Sequence, residues 1–239
     1  MSLLENNNKN ISILIPLYNG VEFLNESLTS IINQTYTHWE VIIGINGHSS
    51  ESNIIVEIYN IINNLNIDNK YDIRVIIYNT KGKSQTLNAM INDVKYNYIA
   101  LLDVDDIWVS YKLEKQVPLL SDYDVIGTQC VYFGDINIKP TVPTGDLSEH
   151  NFYSVNPLIN SSIIIHKKDA YWDENEFIDD YDMWFRLYHN GKKFYNIPDI
   201  LCLHRIHKKS NFNNSNDKYV EILKDKWRKL NSENNFVKK

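Results

Sequence analysis

Two clusters of acidic residues could act together in catalysis. In the first, Asp103, Asp105 and Asp106 follow the apolar run Leu101-Leu102. Carboxylates this close repel one another and raise each other's pKa unless a cation compensates them. Mg²⁺ and Mn²⁺ prefer carboxylate oxygens and readily share their shell with substrate phosphates. The cluster therefore predicts a divalent metal site, with the simpler alternative that Asp106 only caps a following helix.

The second cluster is the DDYD segment at residues 179–182, which begins a predicted helix. The helix dipole favours acidic residues there, so the segment could be purely structural, with Trp184 and Leu187 as core anchors and Arg186 in an ion pair. Combined with the first cluster, it predicts that the two clusters have different catalytic roles. One cluster would bind metal and the other would supply a general base.

A third group of polar residues is the basic segment around His204 and His207, flanked by Arg205, Lys208 and Lys209. Imidazole can complete a metal shell, and Arg and Lys hold phosphate groups. Ordinary surface or core roles are the alternative, especially for His204.

Alternating strands and helices are predicted to position these groups. The predicted strands are residues 11–15, 40–45, 73–78 and 98–102, and the predicted helices are 21–33, 52–65 and 84–93, with Ser84 as N-cap. Such alternation predicts a parallel sheet with helices on both faces. Ligands of such sheets lie beyond the carboxyl ends of the strands, where the first acidic cluster is expected.

The second half of the chain is less regular. Predicted here are helices at 111–120, 179–190 and 218–230, strands at 125–133 and 161–166, a long loop at 134–157 and a polar tail at 231–239. Gly191 is expected to end the 179–190 helix in a left-handed conformation.

Composition excludes several classes of protein. The 239 residues carry a net charge of −6 and are 43% hydrophobic, which indicates a globular protein and disfavours a nucleic-acid binder. Cys130 and Cys202 are widely separated, so neither a disulfide framework nor a thiolate zinc site is predicted. No apolar run has the length of a membrane span, so the expected location is cytoplasmic and soluble, or peripheral at a membrane. Abundant Asn and Ile with little Ala suggest an AT-rich genome, such as that of a large virus, a protist or a low-GC bacterium.

Five blocks of residues, in order, carry a resemblance to a known family. They are ILIPLYNG (13–20) with SIINQTY (30–36) and WEVII (39–43), NTKGKS (79–84) with LNA (87–89), DVDDIW (103–108) with KLEKQ (112–116), DYDMWFRL (180–187), and Arg205-Ile206-His207 with Ser210. Together they resemble the family 2 inverting glycosyltransferases of the GT-A fold. Ordered blocks at sensible spacing are far more specific than a single DXD motif.

The resemblance implies a fold, a domain organisation and a set of site residues. The fold is a Rossmann-like α/β nucleotide-diphospho-sugar transferase fold with a mixed, mostly parallel sheet. A leader at 1–10 precedes a single catalytic domain at 11–210, divided into a nucleotide-binding half (11–106) and an acceptor half (107–210), and 211–239 form a C-terminal helix and tail. The implied nucleotide contacts are Pro16, Tyr18, Asn46, Lys83 and Asp103, the metal contacts are Asp105 and His207, and the general base is Asp180.

The implied reaction moves a sugar from a nucleotide-diphosphate sugar to an acceptor hydroxyl with inversion, assisted by Mn²⁺ or Mg²⁺. A UDP-sugar is the favoured donor, with GDP- and dTDP-sugars as alternatives, because Asn46 stands where the family usually has acidic residues that read the base. Glycans, proteins and small molecules are all candidate acceptors. The alternatives are a haloacid-dehalogenase-type phosphatase, which also uses a strand-end DxD motif, and an inactive sugar-nucleotide-binding protein.

Overall fold

The computed structural model describes residues 9–65, 69–208 and 217–237. Residues 1–8 of the predicted leader, Lys209 and Ser210, residues 211–216 and the final two lysines of the predicted tail lie outside this description. The strands are β1 (Ile11–Leu17), β2 (Trp39–Asn46), β3 (Ile73–Tyr78), β4 (Tyr98–Leu101), β5 (Ile107–Trp108), β6 (Val125–Gly134), β7 (Gly145–Asp146), β8 (Ile164–His166) and β9 (Phe194–Ile206). The helices are α1 (Leu24–Ile32), α2 (Asn53–Leu65), α3 (Lys83–Met90), α4 (Lys112–Gln116), α5 (Asp179–His189) and α6 (Asp217–Val237).

The strands form one mixed sheet in the order β3-β2-β1-β4-β8-β6-β9-β5, with β7 also pairing with β9. The long ladders are parallel: β1 with β2 and β4, β2 with β3, and β6 with β9. The antiparallel ladders are short and involve β8, β5 and β7. The predicted α/β class with a mixed, mostly parallel sheet is confirmed.

Apolar layers cover both faces of this sheet, because side chains alternate along each strand. Ile13 and Ile15 of β1 pack in a layer with α1 and α2. Leu14, between them, packs in the opposite layer, which includes α3 and the aromatic residues of α5. The parallel strands β1, β2 and β4 therefore end at one edge of the sheet, and the polar loops that follow them lie together there.

The largest error of the sequence prediction is β9, a strand of 13 residues that was not predicted. Its alternation is broken by Pro198 and Asp199, and its partner β6 lies about 70 residues earlier in the chain. The β6–β9 register also shifts around Gln129. A strand that owes its existence to a distant partner leaves a weak local signal.

Smaller corrections concern element ends. The strand predicted at 161–166 covers only Ile164–His166, because Asn160–Ser162 form a 3₁₀ turn. The helix predicted at 111–120 is α4 followed by a 3₁₀ turn that contains Pro118, a residue without a backbone donor. Part of the predicted tail is helical, since α6 extends to Val237. The predicted loop at 134–157 contains the short strand β7.

Two further features bear on the sequence predictions. Cys130 and Cys202 are direct register partners on β6 and β9, and both are fully buried free thiols. Gly191 has a φ of 72°, the left-handed conformation expected after α5. Within the described ranges, every helix is too short or too polar to cross a bilayer.

Candidate active site

A cavity of about 610 Å³ opens at the carboxyl edge of the sheet. Its walls come from the ends of β1, β2 and β4, the start of α3 and the end of β9. Seven of the eight predicted site residues line it: Pro16, Tyr18, Asn46, Lys83, Asp103, Asp105 and His207. The eighth, Asp180, is not among the lining residues and lies at the start of α5.

One wall of the cavity carries an exposed aromatic ring. Tyr18 follows β1, and 55% of its surface is accessible. Its backbone carbonyl accepts a hydrogen bond from the His48 ring at 2.5 Å. Gly47, with a φ of 73°, lies so close that a Cβ there would be 2.6 Å from the Tyr18 ring. The glycine therefore allows the turn after β2 to approach the ring, and the face of Tyr18 remains available to a flat ligand.

An ion pair joins the end of β4 to the start of α3. Lys83 Nζ lies 2.5 Å from Asp103 Oδ1. Burial alone would raise the pKa of Asp103, but the Lys83 ammonium outweighs it and holds that pKa below its usual range. The backbone N–H of Asp103 donates to Ser161 Oγ at 3.1 Å, which fixes the loop. Asp103 is therefore an ionised acceptor inside the cavity.

Asp105 and His207 form a second pair, with His207 Nε2 2.9 Å from Asp105 Oδ2. Burial, followed by the charges of Asp106 and Asp103, raises the pKa of Asp105. An extra positive charge at this point would relieve that repulsion. In the described part of the chain, no three His, Cys, Asp or Glu side chains converge as metal ligands. The pair suits a cation that takes most of its oxygen ligands from substrate phosphate and water, as Mg²⁺ commonly does.

Asp106 holds β9 against the acidic loop and does not act as the helix cap considered above. It is fully buried, and its carboxylate accepts the Arg205 backbone N–H at 2.8 Å and pairs with His204 Nδ1 at 2.9 Å. Burial lowers the pKa of His204, but the Asp106 carboxylate outweighs it and the net shift is upward. His204 therefore anchors β9 to the acidic loop through its Nδ1 atom.

Arg205 is a site residue for which the sequence suggested a phosphate contact, whereas the structure shows it in contact with the acidic loop. Its Nε donates to the Asp105 carbonyl oxygen at 2.9 Å, and its guanidinium pairs with Glu26 at 2.9 Å. The rings of Phe23 and Phe133 lie 4.7 and 4.4 Å from its central carbon. Its position between His204 and His207 was the available signal. Arg205 holds the backbone at Asp105 in place.

The start of α3 connects the two acidic clusters. Lys83 pairs with Asp103 of the first cluster, and the next residue, Ser84, donates its hydroxyl to Asp179 of the second at 2.5 Å. The N-cap of α3 is Gly82, with a φ of 94°, so the prediction of Ser84 as N-cap was wrong. Ser84 is the second residue of the helix, directly after Lys83, and its hydroxyl hydrogen-bonds to Asp179 of the second acidic cluster.

Asp180 is held at the start of α5 in a partly buried position. Burial, followed by the charge of Asp179, raises its pKa to about 6, although Lys83 acts in the opposite direction. One carboxylate oxygen accepts the Tyr181 backbone N–H at 2.7 Å, which fixes the side chain. A carboxylate with this pKa is ionised at neutral pH and can still accept a proton usefully.

The rest of the segment is structural. Trp184 and Leu187 are buried core anchors, as expected for the structural alternative. Arg186, which that alternative placed in an ion pair, instead donates hydrogen bonds to the carbonyl oxygens of Asp169 and Tyr171 at 3.1 and 3.0 Å. It thereby fixes the loop that leads into α5.

The glycosyl transferase family 2 model matches residues 12–188 of the chain, which include both acidic clusters. The chain belongs to glycosyl transferase family 2. This membership confirms the resemblance found in the sequence and removes the support for the haloacid-dehalogenase alternative. Among relatives of this family, an uncharacterised glycosyltransferase of Rickettsia prowazekii is 26% identical over 235 residues, which cover 91% of this chain and 70% of the relative.

Solved structures show that this family 2 chain has the GT-A fold. S. aureus TarS in complex with UDP-GlcNAc superposes with a TM-score of 0.68 at 17% identity, over 87% of this chain and 61% of that chain. The mannosyltransferase PcManGT of Pyrobaculum calidifontis, in complex with GDP-Man and Mn²⁺, superposes with a TM-score of 0.64 at 15% identity. That match covers 84% of this chain and 58% of PcManGT. The chain thus spans less than two thirds of either structure.

Proposed function

We propose that the chain transfers a sugar from a nucleotide-diphosphate sugar to an acceptor hydroxyl, with inversion at the anomeric carbon and with Asp180 as general base. The main support is the connection through α3. Lys83 and Ser84, adjacent in sequence, contact Asp103 of one acidic cluster and Asp179 of the other. The start of α3 thus contacts both the residues proposed for the leaving group and the cluster that contains the proposed base.

On the donor side, the leaving group is a nucleoside diphosphate, and its charge must be neutralised as the glycosidic bond breaks. Lys83 carries a permanent positive charge, because Asp103 and Asp179 raise its pKa despite its burial. Asp105 and His207 would hold Mn²⁺ or Mg²⁺, which supplies positive charge to the diphosphate. Arg205 positions Asp105 through the backbone carbonyl.

On the acceptor side, the base must remove the hydroxyl proton from the face of the sugar opposite the leaving group. Asp180 lies on α5, a different element from the loop that carries Asp105, and it is ionised at neutral pH, since its pKa is about 6. A general base at this position typically contributes about 10²–10⁴-fold in rate. Direct displacement by the activated hydroxyl gives the inverted product.

The nucleotide base is proposed to stack on Tyr18 between Pro16 and Asn46, with Asp103 accepting from the ribose. Asn46 can both donate and accept hydrogen bonds, so it suits the edge of uracil as well as other bases. A UDP-sugar is the favoured donor, and GDP- and dTDP-sugars are the alternatives to be tested. Residues 11–106 would form the nucleotide-binding half of the catalytic domain, and residues 107–210 the acceptor half.

The proposal is tested by thermal shift with UDP, GDP and dTDP, each with and without Mn²⁺. A ligand at a hundredfold excess over its Kd stabilises the folded state by about 2.7 kcal/mol. We expect a rise in Tm with one nucleotide that depends on Mn²⁺ and is lost in Asp105→Ala.

The matched control is Asp169→Ala, which removes a carboxylate that pairs with Lys192 far from the cavity. This variant should retain the nucleotide shift. The absence of a shift with every nucleotide at saturating Mn²⁺ would contradict the proposal. A normal shift without transfer or donor hydrolysis would indicate an inactive sugar-nucleotide-binding protein.

A further inference from the structure

Two stacked aromatic rings are exposed close to the start of α5. Phe177, three residues before Asp180, and Tyr219 of α6 have ring centroids 4.2 Å apart and planes inclined by 20°. The accessible fractions are 58% for Phe177 and 41% for Tyr219. Large apolar side chains are usually buried, so a stacked pair that stays open to solvent needs an explanation.

Hydrogen bonds anchor the segment that carries Phe177. Asn88 of α3 holds the backbone of Trp172 through two hydrogen bonds, at 2.8 and 3.0 Å. At the other end of the segment, Lys226 of α6 donates to Glu176 at 2.5 Å and to the buried Asp182 of α5 at 2.9 Å. The segment that carries Phe177 is thus fixed to both α3 and α6. The rings form a preorganised surface, which lowers the cost of binding a ligand there.

The position of the pair relates it to the acceptor. Three residues of fully extended chain span at most about 11 Å, so Phe177 lies within that distance of Asp180 along the backbone. The nucleotide cavity is lined by the ends of β1, β2, β4 and β9, and neither ring is among its lining residues. A ligand on the rings would therefore approach Asp180 from outside the donor cavity.

The charges near the pair are mostly negative. Residues 174–180 contain the acidic side chains of Glu174, Glu176, Asp179 and Asp180 and no basic side chain, and of these Glu176 is paired with Lys226 of α6. Tyr219 is flanked on its own helix by Lys218 and by the acidic residues Asp217 and Glu221. This field disfavours an anionic ligand such as a uronic acid or a phosphate ester.

We propose that Phe177 and Tyr219 form an acceptor subsite that binds the apolar face of a neutral pyranose ring, so that the acceptor is a neutral glycan or glycoside. The inference rests on the function proposed above and specifies its acceptor. One face of a pyranose exposes axial C–H groups, whose weak positive charge is attracted to the negative face of an aromatic ring. The hydroxyl groups at the rim of the sugar remain in water or reach Asp180.

The test is saturation-transfer difference NMR on the full chain with defined probes. The probes are cellobiose, lactose, α-mannobiose, N,N′-diacetylchitobiose, the uronic acid-containing hyaluronan disaccharide, and n-octyl β-D-glucopyranoside below its micelle concentration. The variants are Phe177→Ala, Tyr219→Ala and Tyr219→Phe. Tyr59→Ala on α2 is the control, since this ring is 48% exposed on the opposite face of the sheet.

We expect saturation of the axial ring protons of at least one neutral probe and weaker binding of the anionic one. Loss of either ring should weaken binding by roughly tenfold, as expected for one aromatic stacking contact. Tyr219→Phe and Tyr59→Ala should bind as the unchanged protein does. Retained nucleotide shifts in all variants would show that the donor site is intact.

Three results would overturn the subsite. The first is that no neutral probe binds, and the second is that binding persists in both alanine variants. The third is that saturation of the octyl chain occurs without saturation of its sugar ring, which would assign the rings to an apolar partner. If the nucleotides also fail to bind, the proposed function fails as well. If they bind and the sugars do not, only the subsite fails.

Discussion

Asp180 illustrates how the environment of a single carboxyl group determines its chemistry. Asp103 and Asp180 both lie near Lys83, yet their pKa values shift in opposite directions. Asp103 shares a direct contact with the ammonium at 2.5 Å, whereas burial and the neighbouring Asp179 dominate at Asp180. Asp103 is thereby kept as a permanent anion, and the pKa of Asp180 is raised toward neutrality, as the proposed general base requires.

We expect Asp180→Asn to lower kcat by about 10²–10⁴-fold while the Kd for the nucleotide changes little, because the amide cannot accept the proton. Single-turnover transfer and nucleotide titration measure the two quantities. Glu174→Gln, which neutralises an exposed carboxylate nearby, is the control and should keep its turnover. Normal turnover in Asp180→Asn would remove this residue from the mechanism.

The pH dependence follows from the same shift. A base with a pKa of about 6 is protonated and inactive below that pH, so kcat should rise with pH through about 6 and then level off. A steady-state pH profile between pH 4.5 and 8.5 measures this limb. An unperturbed Asp would place the limb near pH 4, and that result would contradict the assignment.

At the scale of elements, the site depends on the contact between the β4–β5 loop and β9. Asp106 is buried in that contact and accepts both the Arg205 N–H and the His204 ring. The sequence predicted the loop and its acidic residues but not the strand that anchors them. The sequence shows His204 and Arg205 as part of a basic segment. Their placement, however, depends on the pairing of β9 with β6, a non-local contact whose register is interrupted near Pro198.

We expect Asp106→Ala to lower the free energy of unfolding by about 3–5 kcal/mol, because it leaves buried donors without an acceptor. Asp105→Ala is the matched control. It removes a carboxylate that is 20% exposed and repelled by its neighbours, so stability should change by less than about 1 kcal/mol. Urea unfolding measures both. Equal losses in the two variants would show that the buried contact has no special weight.

At the scale of the whole molecule, residues that do not line the cavity hold α5, which carries Asp180, in place. Helix α6 packs on α5, where Trp227 Nε1 and Lys226 both donate to the buried carboxylate of Asp182. The hydrophobic pattern predicted this helix, but its partner could not be read from the pattern. Asp182 looked like one more acid at a helix start, because burial is a property of the assembled fold.

Leu223 and Ile222 provide a direct measure of this packing. Leu223 is 2% exposed in the layer below α5, and its neighbour Ile222 is 54% exposed. Leu223→Ala should cost about 2–5 kcal/mol, as a buried truncation does, whereas Ile222→Ala should change stability by less than about 0.5 kcal/mol. Hydrogen exchange of the α6 amides and thermal unfolding report the effect. Similar results for the two variants would mean that α6 does not dock through this face.

The two paired cysteines have a practical consequence. Cys130 and Cys202 are fully buried on adjacent strands, and burial raises the pKa of the Cys130 thiol to about 12 and that of Cys202 well above its usual value. Thiols in this state react slowly with maleimides and other alkylating reagents. The two native cysteines should therefore contribute little background reaction when a newly introduced cysteine is labelled. A fluorophore or spin label attached through one new surface cysteine on α6 would report its separation from the sheet without removal of either native thiol.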